Sequence, residues 1–235
     1  MKLHDPELVA KEYASDERLA ARMAANAHGE GPDARQMAFD AVAAVRPRDV
    51  LEVGSGRGEL AEQIATELGA RVVAVDQSEH MVGLTRARGI DARVGDVQAL
   101  DLPDDAFDCA LAAWMLYHVA DVDRALAELG RVLRPGGRLV AVTNGGDHWQ
   151  ELYELLRAER PRTTFLAEDA PAILRRHFAR VEVHDAHGWI LFSDREHVQR
   201  YVDSTVLLAG RELPPFEGPL RVRRAPAVLV ADEPL

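Results

Sequence analysis

Gly54, Gly56 and Gly58 follow directly on the apolar run Val50–Val53 and lead into Leu60, Ile64 and Leu68, which recur at helical spacing. A strand running into a glycine turn and then a helix lets the backbone approach a ligand with no Cβ in the way. The helix start presents free N–H groups to whatever binds there. The order is Gly-x-Gly-x-Gly, not the Gly-x-Gly-x-x-Gly of a dinucleotide fingerprint. Glu52, two residues before Gly54, would repel a pyrophosphate and suits a cationic group, an ammonium or a sulfonium. Asp76 closes the next apolar run 22 residues after Gly54. A carboxylate there can accept both hydroxyls of a ribose; the alternative is a helix N-cap for Ser78–Arg88.

Other candidates stand on the same rim. His118 lies in Leu116-Tyr117-His118-Val119, just beyond the run Phe107–Trp114. A histidine there is suited to orienting an acceptor or taking a proton, with capping or packing as the alternative. Asn144 and His148 follow the run Arg138–Thr143 and either touch an acceptor or shape the loop. His184 and His187 lack a third convincing ligand, so no metal site is expected. Cys109 sits within an apolar run and reads as a buried structural thiol.

Positioning these residues requires a sheet. Val50–Val53, Arg71–Val75, Phe107–Trp114 and Arg138–Thr143 read as strands buried on both faces, as parallel strands are. Helical periods separate them, among them Val122, Leu126, Leu129 and Leu133, stopped by Arg134-Pro135-Gly136-Gly137. Alternation of strand and helix predicts an α/β doubly wound, Rossmann-like sheet. Residues 1–45 are expected to form a helical cap broken at Gly29-Glu30-Gly31-Pro32, and 46–146 the ligand-binding core. Residues 147–235 would complete the sheet and cover the acceptor. Helices are expected around Trp149–Leu156, over Phe165–His177 and at Val198–Val206, and strands at Val181–Val183, Trp189–Phe192 and Ala227–Val230. One domain with elaborations accounts for the 235 residues.

Charge narrows the partners. Twenty-eight basic against 39 acidic residues give a net charge of −11, which disfavours a nucleic-acid partner. The longest near-continuous apolar run, Cys109–Tyr117, is too short for a membrane span, and no leader-like stretch opens the chain, so a cytoplasmic protein is expected. Among the basic residues only Lys2 and Lys11 are lysines, a bias that fits a GC-rich bacterial genome. The oligomeric state is not legible.

Residues 46 to 146 resemble the class I S-adenosylmethionine-dependent methyltransferases, specifically the small-molecule branch called type 11. The resemblance is carried by the glycine turn and Asp76, by Gly95-Asp96-Val97-Gln98-Ala99-Leu100, and by Leu102-Pro103 with Phe107-Asp108. It continues through Trp114-Met115-Leu116-Tyr117-His118-Val119 and Leu133-Arg134-Pro135-Gly136-Gly137-Arg138-Leu139. It implies that Glu52, Gly54, Ser55 and Gly56 line the methionine part of S-adenosylmethionine and that Asp76 holds the ribose. Gln77 and Met81 would lie beside ribose and adenine, Asp96 and the Val97 N–H would meet the adenine, and the Ala113 backbone would meet the α-amino group. Arg22, in Leu19-Ala20-Ala21-Arg22, would pair with the cofactor carboxylate, with Tyr13 on the acceptor side beside His118, Asn144 and His148. The implied activity is methyl transfer to an oxygen or nitrogen nucleophile of a small molecule in bacterial biosynthesis. The alternatives are a methyltransferase-fold cyclase or binding protein, and a nicotinamide-dependent oxidoreductase.

Overall fold

The computed structural model describes residues 2–26 and 29–235; the helical expectation at residues 1, 27 and 28 lies outside them. Three helices open the chain: α1 (Pro6–Glu12), α2 (Glu17–Asn26) and α3 (Ala34–Ala43). The core then alternates as expected, with β1 (Asp49–Val53), α4 (Glu59–Leu68), β2 (Arg71–Asp76), α5 (Glu79–Ala87), β3 (Asp91–Val94), β4 (Phe107–Ala113), α6 (Val122–Val132) and β5 (Leu133–Asn144). After it come α7 (Gln150–Leu155), α8 (Ala170–Leu174), β6 (Phe178–Asp185), β7 (Gly188–Phe192), α9 (Arg195–Asp203), β8 (Leu220–Arg224) and β9 (Pro226–Pro234).

Seven strands form one sheet in the order β3-β2-β1-β4-β5-β9-β6. The first five are parallel, and β9 runs antiparallel between β5 and β6. Apolar clusters cover both faces: Leu51, Val53, Ala110 and Leu139 face one way with α6, while Val50, Cys109, Leu111 and Val140 face the other with α3 and α4. Burying both faces explains why these strands read as continuous apolar runs. A third cluster, built on Trp149, Phe192, Tyr201 and Val222, joins α7 and α9 to the separate β7–β8 ribbon.

Three expectations need correction. β5 begins at Leu133, which pairs with Phe107, and the register then shifts so that Arg138 faces Cys109; Arg134–Gly137 bulge out between them. The helix expected over Phe165–His177 is only α8, because Pro171 stands in its first turn and a proline inside an earlier helix would remove a donor. Helix α9 stops at Asp203, and the Val206 N–H instead donates to the Glu12 carboxylate at 2.8 Å.

The order of strands reverses between β1 and β4, so the loops leaving their carboxyl ends diverge and open a crevice. Gly54, at φ +67°, turns the chain there, and its N–H donates to the Val75 carbonyl at 2.7 Å. A Cβ on Gly54 would lie 2.5 Å from the Met115 Cβ in the loop after β4. Gly54 therefore holds the two loops in contact, and even alanine is too large. Gly54→Ala is expected to destabilise the protein by at least ~1–2 kcal/mol from the left-handed backbone alone, lowering Tm by about 2–8 °C in a thermal melt. An unchanged Tm would contradict this reading of the turn.

Candidate active site

Above the crevice lies a cavity of about 1190 Å³, roofed by the N-terminal helices and walled by segments from the C-terminal third. Its floor is the glycine turn. The Asp76 carboxylate, at the end of β2, accepts the Gly56 N–H through Oδ2 and the Ser78 N–H through Oδ1, both at 2.9 Å. Ser78, not Asp76, is the N-cap of α5, its Oγ accepting the Met81 N–H at 3.3 Å. The Ser78 hydroxyl also donates to the Tyr13 carbonyl at 3.0 Å, which fastens the roof to the floor.

Glu52 is 3% exposed and its Oε2 is buried without a hydrogen-bond partner among the described residues. Burial pushes its carboxyl up to about 8, with Arg35 opposing and Asp76 reinforcing the shift. Asn144 Oδ1, at the end of β5, is likewise buried and unpartnered, and both residues line the cavity. Such atoms cost free energy unless a ligand supplies the missing partner.

The roof carries a different chemistry. The Tyr13 hydroxyl lies 2.9 Å from His118 Nε2, and His118 Nδ1 lies 2.9 Å from the Leu3 carbonyl. Arg22 pairs with Glu12 and donates to the Ser204 carbonyl at 2.8 Å. His148 accepts the Ala225 N–H on Nδ1 at 3.0 Å; burial first, with Arg160 and Arg224, drives it down to about 3 and keeps it neutral. Tyr117, Trp149, Tyr153, Tyr201, Leu207 and Leu208 make the far wall apolar and aromatic.

Comparison with known proteins places this geometry. Residues 51–141 match the model of the methyltransferase domain family. That stretch is a methyltransferase domain, similar to those of the class I S-adenosylmethionine-dependent methyltransferases. A demethylmenaquinone methyltransferase of Thermus thermophilus is 38% identical over 115 residues, which cover 46% of this chain and 52% of that protein. The chain thus matches about half the length of that curated relative. Among solved structures, the 1,6-didemethyltoxoflavin-N1-methyltransferase of Burkholderia thailandensis has a TM-score of 0.60 at 22% identity, covering 97% of this chain and 88% of that one. The 4+2 cyclase SpnF has the same TM-score of 0.60 at 24% identity, with 97% and 95% covered. Likeness of this kind shows the fold alone, since one fold serves several reactions.

The methyltransferase domain fits its family's cofactor by the groups it leaves unsatisfied. Glu52 offers a buried acceptor for an ammonium, Asp76 keeps free lone pairs for hydroxyls, and the glycine turn has no side chain to obstruct them. Tyr13, Arg22, Glu52, Gly54, Ser55, Gly56, Asp76, Gln77, Val97, Ala113, His118, Asn144 and His148 all line the same cavity. Met81 and Asp96 do not. Met81 is wholly buried on the inner face of α5. Asp96 turns its carboxylate to Gln98, accepting its backbone N–H at 2.9 Å and its amide at 3.1 and 3.0 Å. Trp189 and Phe192 also stand off the lining: Phe192 fills the third core cluster, and Trp189 lies beneath the Arg221 and Arg223 guanidinium groups. Glu12, which organises the roof, was not singled out by any sequence pattern; a lone acid in a short helix carries no signal.

Because Glu52 is protonated at neutral pH, a cation bound beside it should displace that proton. Calorimetry of S-adenosylmethionine at pH 7 in buffers of different ionisation enthalpy is expected to show release of up to about one proton. Affinity should rise from pH 6 toward 8 and then level off, and Glu52→Gln should abolish both effects. The same raised value means that Glu52 stabilises the free protein below the ordinary carboxylate range and loses that contribution as pH rises through about 8. Binding without proton release would contradict the placement of the cation.

Proposed function

We propose that this protein binds S-adenosylmethionine and transfers its methyl group to a small-molecule acceptor in the cytoplasm, as a single domain spanning residues 1–235. The observation that carries the reading is the pair of carboxylates at the ends of β1 and β2. One is poised on the glycine turn, and the other keeps a buried oxygen, Glu52 Oε2, without a partner among the described residues, in a cavity extending well beyond them.

In this reading Glu52, Gly54, Ser55, Gly56 and the Ala113 backbone hold the methionine part, Asp76 the ribose hydroxyls, and Gln77 and Val97 the nucleoside end. Arg22 reaches the cofactor carboxylate by exchanging part of its pairing with Glu12. The bound cofactor supplies an already activated methyl group, so the chain has to align the acceptor and exclude water. The roof of α1 and α2 serves exclusion, while Asn144 and the aromatic wall serve alignment. The acceptor is a ring-bearing molecule with an oxygen or nitrogen nucleophile. Nucleic acid is disfavoured by the net charge of −11, and no helix among the described residues is long and apolar enough to cross a membrane.

A second reading, methylation at carbon of a quinone-type acceptor, is favoured by the Thermus relative together with a ubiquinone/menaquinone biosynthesis C-methyltransferase of Cellvibrio japonicus, 37% identical over 109 residues that cover 42% of this chain and 44% of that protein. Incubation of the full chain with methyl-labelled S-adenosylmethionine and a panel of phenols, aryl amines and quinols separates the two, since label on oxygen or nitrogen supports the first and label on carbon the second. Tight S-adenosylhomocysteine binding with no transfer would replace both by a cyclase or binding role. A thermal shift with a nicotinamide cofactor alone would point to an oxidoreductase.

Asp76→Asn should weaken S-adenosylmethionine binding by about 1.5–3 kcal/mol, the scale of a hydrogen bond lost to a charged group. Undiminished affinity by calorimetry in the folded variant would remove Asp76 from the ribose site.

A further inference from the structure

His118 presents no free nitrogen to the cavity. A backbone carbonyl only accepts, so the 2.9 Å contact between Nδ1 and the Leu3 carbonyl puts the ring proton on Nδ1. Nε2 is then a bare lone pair, and the Tyr13 hydroxyl 2.9 Å away donates its single proton to it. The direction of the chain is fixed from its far end. The Leu3 backbone is itself held, its N–H donating to the Arg162 carbonyl at 3.0 Å. The Tyr13 oxygen also accepts a hydrogen bond from the Arg22 guanidinium, so what remains there for a ligand is a single lone pair, acceptor capacity only. It therefore matches a ligand group that brings a proton, a hydroxyl or an N–H, and not an ether or a carbonyl.

We propose that Tyr13 and His118 form a proton relay, with Tyr13 meeting the acceptor's hydroxyl and His118 taking up the proton through Tyr13. The proposal rests on the methyl-transfer reading and adds to it the group that touches the acceptor. The acceptor's proton passes to the Tyr13 oxygen as the Tyr13 proton passes to His118 Nε2. An electron pair of the acceptor oxygen forms the new bond to the methyl carbon, and the pair of the broken carbon–sulfur bond stays on sulfur. The positive charge lost at sulfur reappears on the imidazolium, so charge is conserved. The proton returns to water through Tyr13 once the product leaves.

The surroundings keep the resting pair neutral. Burial pushes the Tyr13 hydroxyl up to about 12 and holds His118 below the ordinary imidazole value. Glu12 from α1 favours the imidazolium and Arg22 from α2 opposes it; these two are paired with each other. At Tyr13 the Arg22 guanidinium opposes the rise by its charge and its hydrogen bond, while Glu12 and Asp76 add to it, and the Tyr117 ring packs edge-on against His118 at 4.6 Å. Because His118 must be neutral to receive the proton, the relay works down to pH values below the usual imidazole range and fails beneath them.

The probe is 4-nitrophenol, whose ionisation is visible in its absorbance, added to the full chain saturated with S-adenosylhomocysteine. Bound to the wild-type protein it is expected to ionise about one pH unit or more below its value in buffer. Tyr13→Phe and His118→Gln should both abolish the shift while leaving S-adenosylhomocysteine affinity within about threefold. Nitrogen-15 spectra of His118 should show the proton on Nδ1 at rest and a doubly protonated ring once the phenol ionises. A phenol that titrates as in buffer, a shift that survives in Tyr13→Phe, or a resting proton on Nε2 would each overturn the relay. Failure of the wild-type chain to bind S-adenosylhomocysteine would overturn the methyl-transfer reading instead.

Discussion

The Asp76 carboxylate is the interaction on which the site depends. It ends β2, yet it bonds the N–H of Gly56 in the turn after β1 and the N–H of Ser78 at the start of α5. One side chain thus fixes two loops that the parallel sheet would otherwise only bring near each other. Burial raises its pKa, and the backbone N–H groups of Ser78, Gly56 and Gln77 oppose that rise. Ser78 extends the linkage to the Tyr13 carbonyl, so that floor and roof share one hydrogen-bonded column.

The roof is a separate construction with its own latch. Glu12 pairs with Arg22 and accepts the Val206 N–H, while Arg22 holds the Ser204 carbonyl. Segments nearly two hundred residues apart therefore close over the same cavity. The floor lies within the residues that match the methyltransferase domain family, whereas the roof and most of the wall lie outside them. Whole-chain likeness extends equally to a methyltransferase and to a cyclase, as expected where one fold serves several reactions.

The sheet was legible in the sequence where burial on both faces made its strands continuous apolar runs. It was not legible at β3, whose residues Asp91–Val94 are mostly exposed at the sheet edge. Nor was it at β8, where Arg221, Arg223 and Arg224 interrupt the apolar pattern; they belong to a ribbon strand, and two of them cover Trp189. In the site, Glu52, Asp76 and the glycines were readable because local spacing places them at strand ends. His118 was readable by its position after β4, but its partners were not. Tyr13 lies 105 residues away and Leu3 contributes only a backbone carbonyl. Met81 and Asp96 show the opposite failure, where family spacing pointed to the cavity and local packing turned the side chains from it.

On this reading Glu52 and Asp76 together receive one ligand on the glycine turn. A crystal structure of the full chain with S-adenosylhomocysteine tests it most directly. The ribose hydroxyls are expected within hydrogen-bond distance of the Asp76 carboxylate, and the ligand's amino group beside Glu52 Oε2 and the Ala113 backbone. A ligand bound elsewhere in the cavity, with Glu52 Oε2 still unpartnered and Asp76 without a contact to the ligand, would contradict it.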